Sequence, residues 1–191
     1  MILFILGLVI FLGVHSVAIF APAWRDAQIA RRGDLAWKGI YSIVSIVGFA
    51  LLIYGYGLAR RAPVVLYTPP AMLRHIALAL MLPVFPLFLA AYLPGHIKTA
   101  AKHPMLLSVK IWATAHLLAN GTLVDVLLFG AFLAWAVLDR IAAKRRAVPR
   151  VVPGAPPSAF NDAIAVIGGL GLYAAFLMGV HLWLIGVSPL H

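Results

Sequence analysis

The chain has 191 residues, 64% of them hydrophobic and 10% charged, with 15 Lys and Arg against 5 acidic residues and a formal net charge of +10. Soluble domains carry roughly 45–50% apolar and ~25% charged residues, so a soluble globular fold is excluded and most of this surface must face lipid. The cations stand in short clusters beside apolar runs, at Arg31 and Arg32, Arg60 and Arg61, and Lys144 to Arg146, with no basic face interleaved with aromatics. That excludes a nucleic-acid partner, and the lack of Cys removes disulfides, thiolate nucleophiles and Cys-held metals.

Crossing a ~30 Å hydrocarbon layer takes about 20 apolar residues. The first run has no Lys or Arg before it and no small-residue cleavage site after it, so it is expected to remain as a spanning helix, Ile2–Ala21. Gly39–Ala59 and His75–Leu93 are the next two spans. Pro83 and Pro86 each remove a backbone donor from the latter, which predicts a kink or local unwinding there. Pro104–Ile141 is interrupted only by Lys110, Asn120-Gly121 and Asp125. Asn-Gly is a strong turn dipeptide, so this stretch reads as two helices in a tight hairpin. Lys110 is expected to snorkel to the headgroups, with pairing to Asp125 as the alternative. The stretch 144–161 is too rich in proline for a helix and predicts an extended cytoplasmic linker, after which Ala163–Val187 forms the last span. The predicted fold class is all-α, a polytopic transmembrane helical bundle of about six helices in a single domain over residues 1–191.

Charge orients this arrangement, because cytoplasmic loops carry the excess of Lys and Arg. The segments after the first, third and fifth helices together hold 11 such residues, and the opposite side holds only Arg60, Arg61 and Arg74. Both termini are therefore expected outside. Trp24, Trp37, Tyr54, Tyr56 and Tyr67 fall near predicted interfaces and read as aromatic-belt residues.

Chemistry, if present, rests on histidine. Of seven, His15, His75, His96, His103, His116 and His181 lie in or at the ends of apolar segments. An ionisable group in a span usually faces the protein interior and often marks function, and imidazole is a common metal and haem ligand. Hydrogen bonding to a neighbouring helix is the plainer role for any one of them. His103 and His116 are thirteen residues apart, which on one straight helix separates them by ~20 Å. They cannot share an iron, so a six-coordinate haem would take one of them and a histidine from elsewhere, with His15 as the candidate. Lys98 and Lys102, beside His96 and His103, suit contact with anionic lipid headgroups.

Several strings carry a family resemblance: His15-Ser16, Arg25-Asp26, Tyr67-Thr68-Pro69-Pro70, Leu93-Pro94-Gly95-His96-Ile97-Lys98, His103-Pro104 and Trp112-Ala113-Thr114-Ala115-His116-Leu117-Leu118-Ala119-Asn120-Gly121. Together they resemble the NnrU family along almost the whole chain. That family is linked to nitrite and nitric oxide metabolism in denitrifying bacteria and is similar to zeta-carotene isomerase, a membrane protein in which histidines hold haem b for isomerisation of a polyene double bond. The resemblance implies haem b with His15 and His116 as iron ligands and His103 in reserve. It also implies a bacterial inner membrane with periplasmic termini, and nitric oxide or a hydrophobic small molecule as the partner beside membrane lipid, while a homo-oligomer stays open. Val17 stands where the isomerase has Gly, and Lys102 where it has Arg; these departures touch the substrate and spare the ligands, and the resemblance implies either a nitrogen-oxide-related redox or ligand-sensing role or a haem-dependent isomerisation of a lipid-like polyene. The His-Pro and the apolar hairpin ending in Asn also look like isoprenylcysteine carboxyl methyltransferases, but this chain lacks the Glu and polar C-terminal segment such a site needs. A cofactor-free scaffold or assembly factor is the remaining alternative.

Overall fold

The computed structural model describes residues 1–146 and 153–190, and among these the chain is helical with no strand. Five helical stretches are long and apolar enough to cross a membrane: Ile2–Phe20, Asp34–Ala59, Ala71–Ala90, Leu123–Arg145 and Asn161–Ile185. A sixth apolar helix, Pro104–Ala119, has 16 residues, or ~24 Å at 1.5 Å per residue. Its length is set at both ends by local chemistry. Pro104 occupies the first turn, where a missing N–H costs nothing, and extended Asn120 ends the helix with its backbone N–H on the His116 carbonyl, 2.9 Å away. The protein is a multi-pass, all-helical membrane protein. Its contacts fall into two units, Met1–Tyr67 with Gly121–Ala142, and Thr68–Asn120 with Ala143–His191.

In the first unit α1 (Ile2–Phe20) and α3 (Asp34–Ala59) pack backbone to backbone. A Cβ on Gly7 would land on the backbone of Leu52, one on Gly48 on that of Phe11, and one on Gly55 on that of Phe4. These three levels run in opposite chain directions, so the helices are antiparallel and their register is fixed by glycine. In lipid, where apolar burial gives no drive for association, such close approach supplies the dispersion contact that does. Phe4, Leu8 and Leu52 then form the core with Val124, from α8 (Leu123–Arg145). Ahead of α8, Leu66 and Tyr67 donate their backbone N–H groups to the Gly121 carbonyl, and Leu123 donates to that of Val64 at 2.8 Å.

Between α1 and α3 the segment read from sequence as a basic loop is a helix, α2 (Pro22–Arg32). Its 11 residues are too few and too polar to register as a span. Pro22 opens it, Arg31 and Arg32 lie in its last turn, where cations suit the helix dipole, and Gly33 at φ +83 turns the chain into α3. Trp24 and Trp37 meet edge to face with centroids 5.8 Å apart.

In the second unit the prolines do what the sequence implies. The helix breaks at Leu82-Pro83, separating α4 (Ala71–Met81) from α5 (Val84–Ala90). The N–H of Leu82 bonds the Ala79 carbonyl, one residue short of the helical partner, and the Leu78 carbonyl so released accepts the Tyr173 hydroxyl at 2.8 Å. Ser108 donates to the Val84 carbonyl at 2.9 Å. Tyr173 belongs to α9 (Asn161–Ala175), whose Gly169 backs directly onto Pro86. A π-helical turn, Phe176–Val180, with non-helical Gly179 inside it, joins α9 to α10 (His181–Ile185). The predicted linker starts later than expected, because Lys144 and Arg145 still form the last turn of α8, where cations suit the helix dipole; it is non-helical over the described residues 153–158, where the Ala155 N–H meets the Tyr92 carbonyl, and its residues 147–152 lie outside the described ones.

Candidate functional site

Among the described residues no three His or acidic side chains gather as a metal site, so each histidine is weighed by its own surroundings. His15 sits on α1 inside the first unit, half-buried among rings. Phe11 lies 4.3 Å away, Tyr41 of α3 5.2 Å, and Trp135 of α8 6.1 Å and nearly perpendicular. Its Nδ1 is 2.6 Å from the Phe11 carbonyl oxygen. A carbonyl can only accept, so Nδ1 carries the proton, and in the neutral ring Nε2 carries the lone pair. Fixing the tautomer and ring plane through the far nitrogen is how proteins prepare an imidazole for iron or zinc.

His116 lies in the second unit, on α7 (Pro104–Ala119), and repeats that local pattern. Its Nδ1–H donates to the Trp112 carbonyl at 2.8 Å, and its ring lies against Trp112 with centroids 5.2 Å apart. Asn120 donates its side-chain N–H to the His116 carbonyl at 2.9 Å, so the Ala119-Asn120 end of the family-like string serves as a helix stop. His103 is the residue preceding α7. Its N–H reaches back to the Ala101 carbonyl at 2.7 Å across Lys102, which is held at φ +60. That i to i+2 bond makes a strained γ-turn and closes α6 (His96–Ala101). His75 is exposed on α4, and His181 is tied through Nδ1 to the Val187 carbonyl at 2.7 Å.

The Pro94-Gly95-His96-Ile97 string has a structural explanation. Asp162, at the start of α9, accepts the backbone N–H of His96 at 2.8 Å and of Ile97 at 3.1 Å, and His96 Nδ1 at 3.0 Å. It thereby caps α6 from 65 residues away, and Gly95 is required because a Cβ there would strike the Asp162 carboxylate. The neighbouring Asn161, buried at 3% exposure, donates to the Pro94 carbonyl at 2.8 Å and that of Pro156 at 3.1 Å.

Two polar groupings in the first unit were not anticipated. Asp125 is 6% exposed. Its Oδ1 accepts the Tyr56 hydroxyl at 2.6 Å and its Oδ2 the Thr122 hydroxyl, while the Asp125 N–H approaches Thr122 Oγ1 at 3.4 Å. Tyr56 is therefore a half-buried donor that joins α3 to α8 rather than a belt residue, and Arg60 lies over its ring at 5.5 Å. Thr122-Leu123-Val124-Asp125 is a capping-box pattern that the sequence did carry; what it lacked was any sign of Tyr56. The carboxylate thus meets hydroxyls on both oxygens within its own unit. Replacing Asp125 with Ala strands the Tyr56 hydroxyl and is expected to cost about 2–3 kcal/mol, and Tyr56→Phe about 1–2 kcal/mol. Because one bond is shared, the double variant should lose little more than Asp125→Ala alone; additive losses in detergent unfolding would count against the bond.

The second grouping includes Trp135, whose ring meets that of His15. Ser45 Oγ and Trp135 Nε1 are both buried, and neither has a hydrogen-bond partner among the described residues.

The model of the family described as NnrU protein matches residues 3–189. No curated protein and no solved structure matches the chain.

Proposed function

The chain belongs to the NnrU family, and from that premise we propose that it is a haem-b protein of the bacterial inner membrane, with both termini periplasmic, that serves nitrogen-oxide metabolism by binding nitric oxide or passing electrons. One observation carries the reading. The proton of His15 is committed to the Phe11 carbonyl, the lone pair is left on Nε2, and the ring is caged by Phe11, Tyr41 and Trp135. An apolar aromatic wall beside a pre-oriented imidazole suits a porphyrin, whose iron the Nε2 lone pair would hold. His116, fixed by the same Nδ1 bond to the carbonyl one turn earlier, is proposed as an iron ligand on the geometry of its own unit, with His103 in reserve.

Bound haem supplies a redox-active iron able to take a diatomic ligand. The chain's own residues contribute the ring nitrogens, their fixed tautomers and an apolar surround that favours the less charged form of the cofactor. Haem content of the purified protein tests this. The expected result is a stoichiometric Soret band that shifts on dithionite reduction; a colourless protein made with ample haem would replace the reading with a scaffold.

A further inference from the structure

Ser45 and Trp135 bury a hydroxyl and an indole N–H that find no acceptor among the described residues. A buried donor left unpaired is costly, and the cost is sharper in a protein whose exterior is hydrocarbon. A serine in a helix usually relieves its hydroxyl on the carbonyl four residues back, and Ser45 does not. Trp135 touches the His15 ring, and the packing of α1 on α3 places Ser45 at the same level. The glycine contacts pair Phe4 with Gly55, Leu52 with Gly7 and Phe11 with Gly48, and continuing that antiparallel register by one turn brings His15 level with Val44 and Ser45. Tyr41, one turn from Ser45, touches the His15 ring, as does Trp135. Three helices thus contribute an imidazole lone pair and two unspent donors to one place.

We infer that Ser45 and Trp135 are hydrogen-bond donors to an oxygen of the group bound at His15. The inference rests on the haem reading above. Two oxygens have the required chemistry, that of a porphyrin propionate carboxylate and that of a small nitrogen oxide held by the iron.

The sign of the effect distinguishes this role from a structural one. Ser45→Ala removes little besides the donor, so the haem-free variant should be as stable as the parent or more so, whereas Trp135→Phe also removes ring volume and should lose the stability that a cavity costs. Once loaded, both variants should hold haem less tightly. Haem transfer to an excess of an apo-globin, followed by the Soret band, is expected to be about tenfold faster from each variant than from the parent, as for a lost charge-assisted hydrogen bond. If the difference vanishes when the protein is loaded with haem dimethyl ester, the acceptor is a propionate. If haem loss is unchanged and nitric oxide leaves the ferrous variants faster than the ferrous parent, the acceptor is the iron-bound oxide. Unchanged haem loss and unchanged nitric oxide release overturn the inference while leaving haem binding intact, and a parent that takes up no haem overturns both. A haem-free Ser45→Ala protein less stable than the parent would mean that the hydroxyl has a protein partner, and the inference fails on that result too.

Discussion

His15→Ala protein is expected to be purified without its Soret band, or with one shifted and bleaching as haem is lost. Removing an imidazole that would hold the iron should weaken haem retention by at least about tenfold, the scale seen even for outer-shell losses at metal sites. The same change in a merely structural histidine would remove one hydrogen bond, here that to Phe11, at a cost of about 1 kcal/mol and with no change of colour. His116→Ala should behave as His15→Ala does. His75→Ala, exposed on α4, should be spectrally silent and serves as the control. His103→Ala decides between the two candidates of the second unit: if it removes haem while His116→Ala keeps a normal spectrum, the residue preceding α7 is the ligand and the resemblance misassigns it. A normal spectrum for His15→Ala would falsify the central claim about this site.

Gly55→Ala is expected to unfold the first unit at markedly milder conditions than the parent, with a loss of at least about 2 kcal/mol. The added methyl would have to displace the Phe4 backbone, which no rotamer change can relieve, and overpacking of this kind typically costs 1–3 kcal/mol or more. Gly57→Ala supplies the comparison. Among the described residues, nothing outside its own helix's nearby backbone and its chain neighbours lies within 4 Å of the Cβ it would gain, so helix propensity acts alone and should stabilise by up to about 1 kcal/mol. Two substitutions of the same chemistry, two residues apart, are thus predicted to have opposite signs. Unfolding of both in detergent, titrated with SDS, measures this, and similar midpoints would mean that α1 and α3 do not approach as described. Because His15 is held by the same helix pair, Gly55→Ala is also expected to weaken haem retention.

What the sequence alone determined about this protein is whatever depends on neighbouring residues. Apolar runs of about 20 residues decided the spans, Pro83 the break in the third, Asn120-Gly121 the stop between α7 and α8, and proline content the non-helical approach to α9. The histidines were visible as candidates because an imidazole within a span stands out against its surroundings. The short helix α2 was missed because 11 mixed residues carry neither a span's hydropathy nor a turn's punctuation. The tertiary structure decided what depends on partners far away in the chain. Asp162 caps α6 across 65 residues, and Tyr56 meets Asp125 across 69; no local pattern announces either bond. Nor could the facing of Gly55 and Gly57 be read in advance. A helix apolar on every side has no polar stripe to say which side is inward, so only the packed backbone of α1 distinguishes the two glycines. Ser45 and Trp135 are the extreme case, because a donor is unsatisfied only with respect to every atom around it. Their significance is a property of the packed structure, and a membrane sequence, whose solvent is as apolar as its core, records least about where that packing falls.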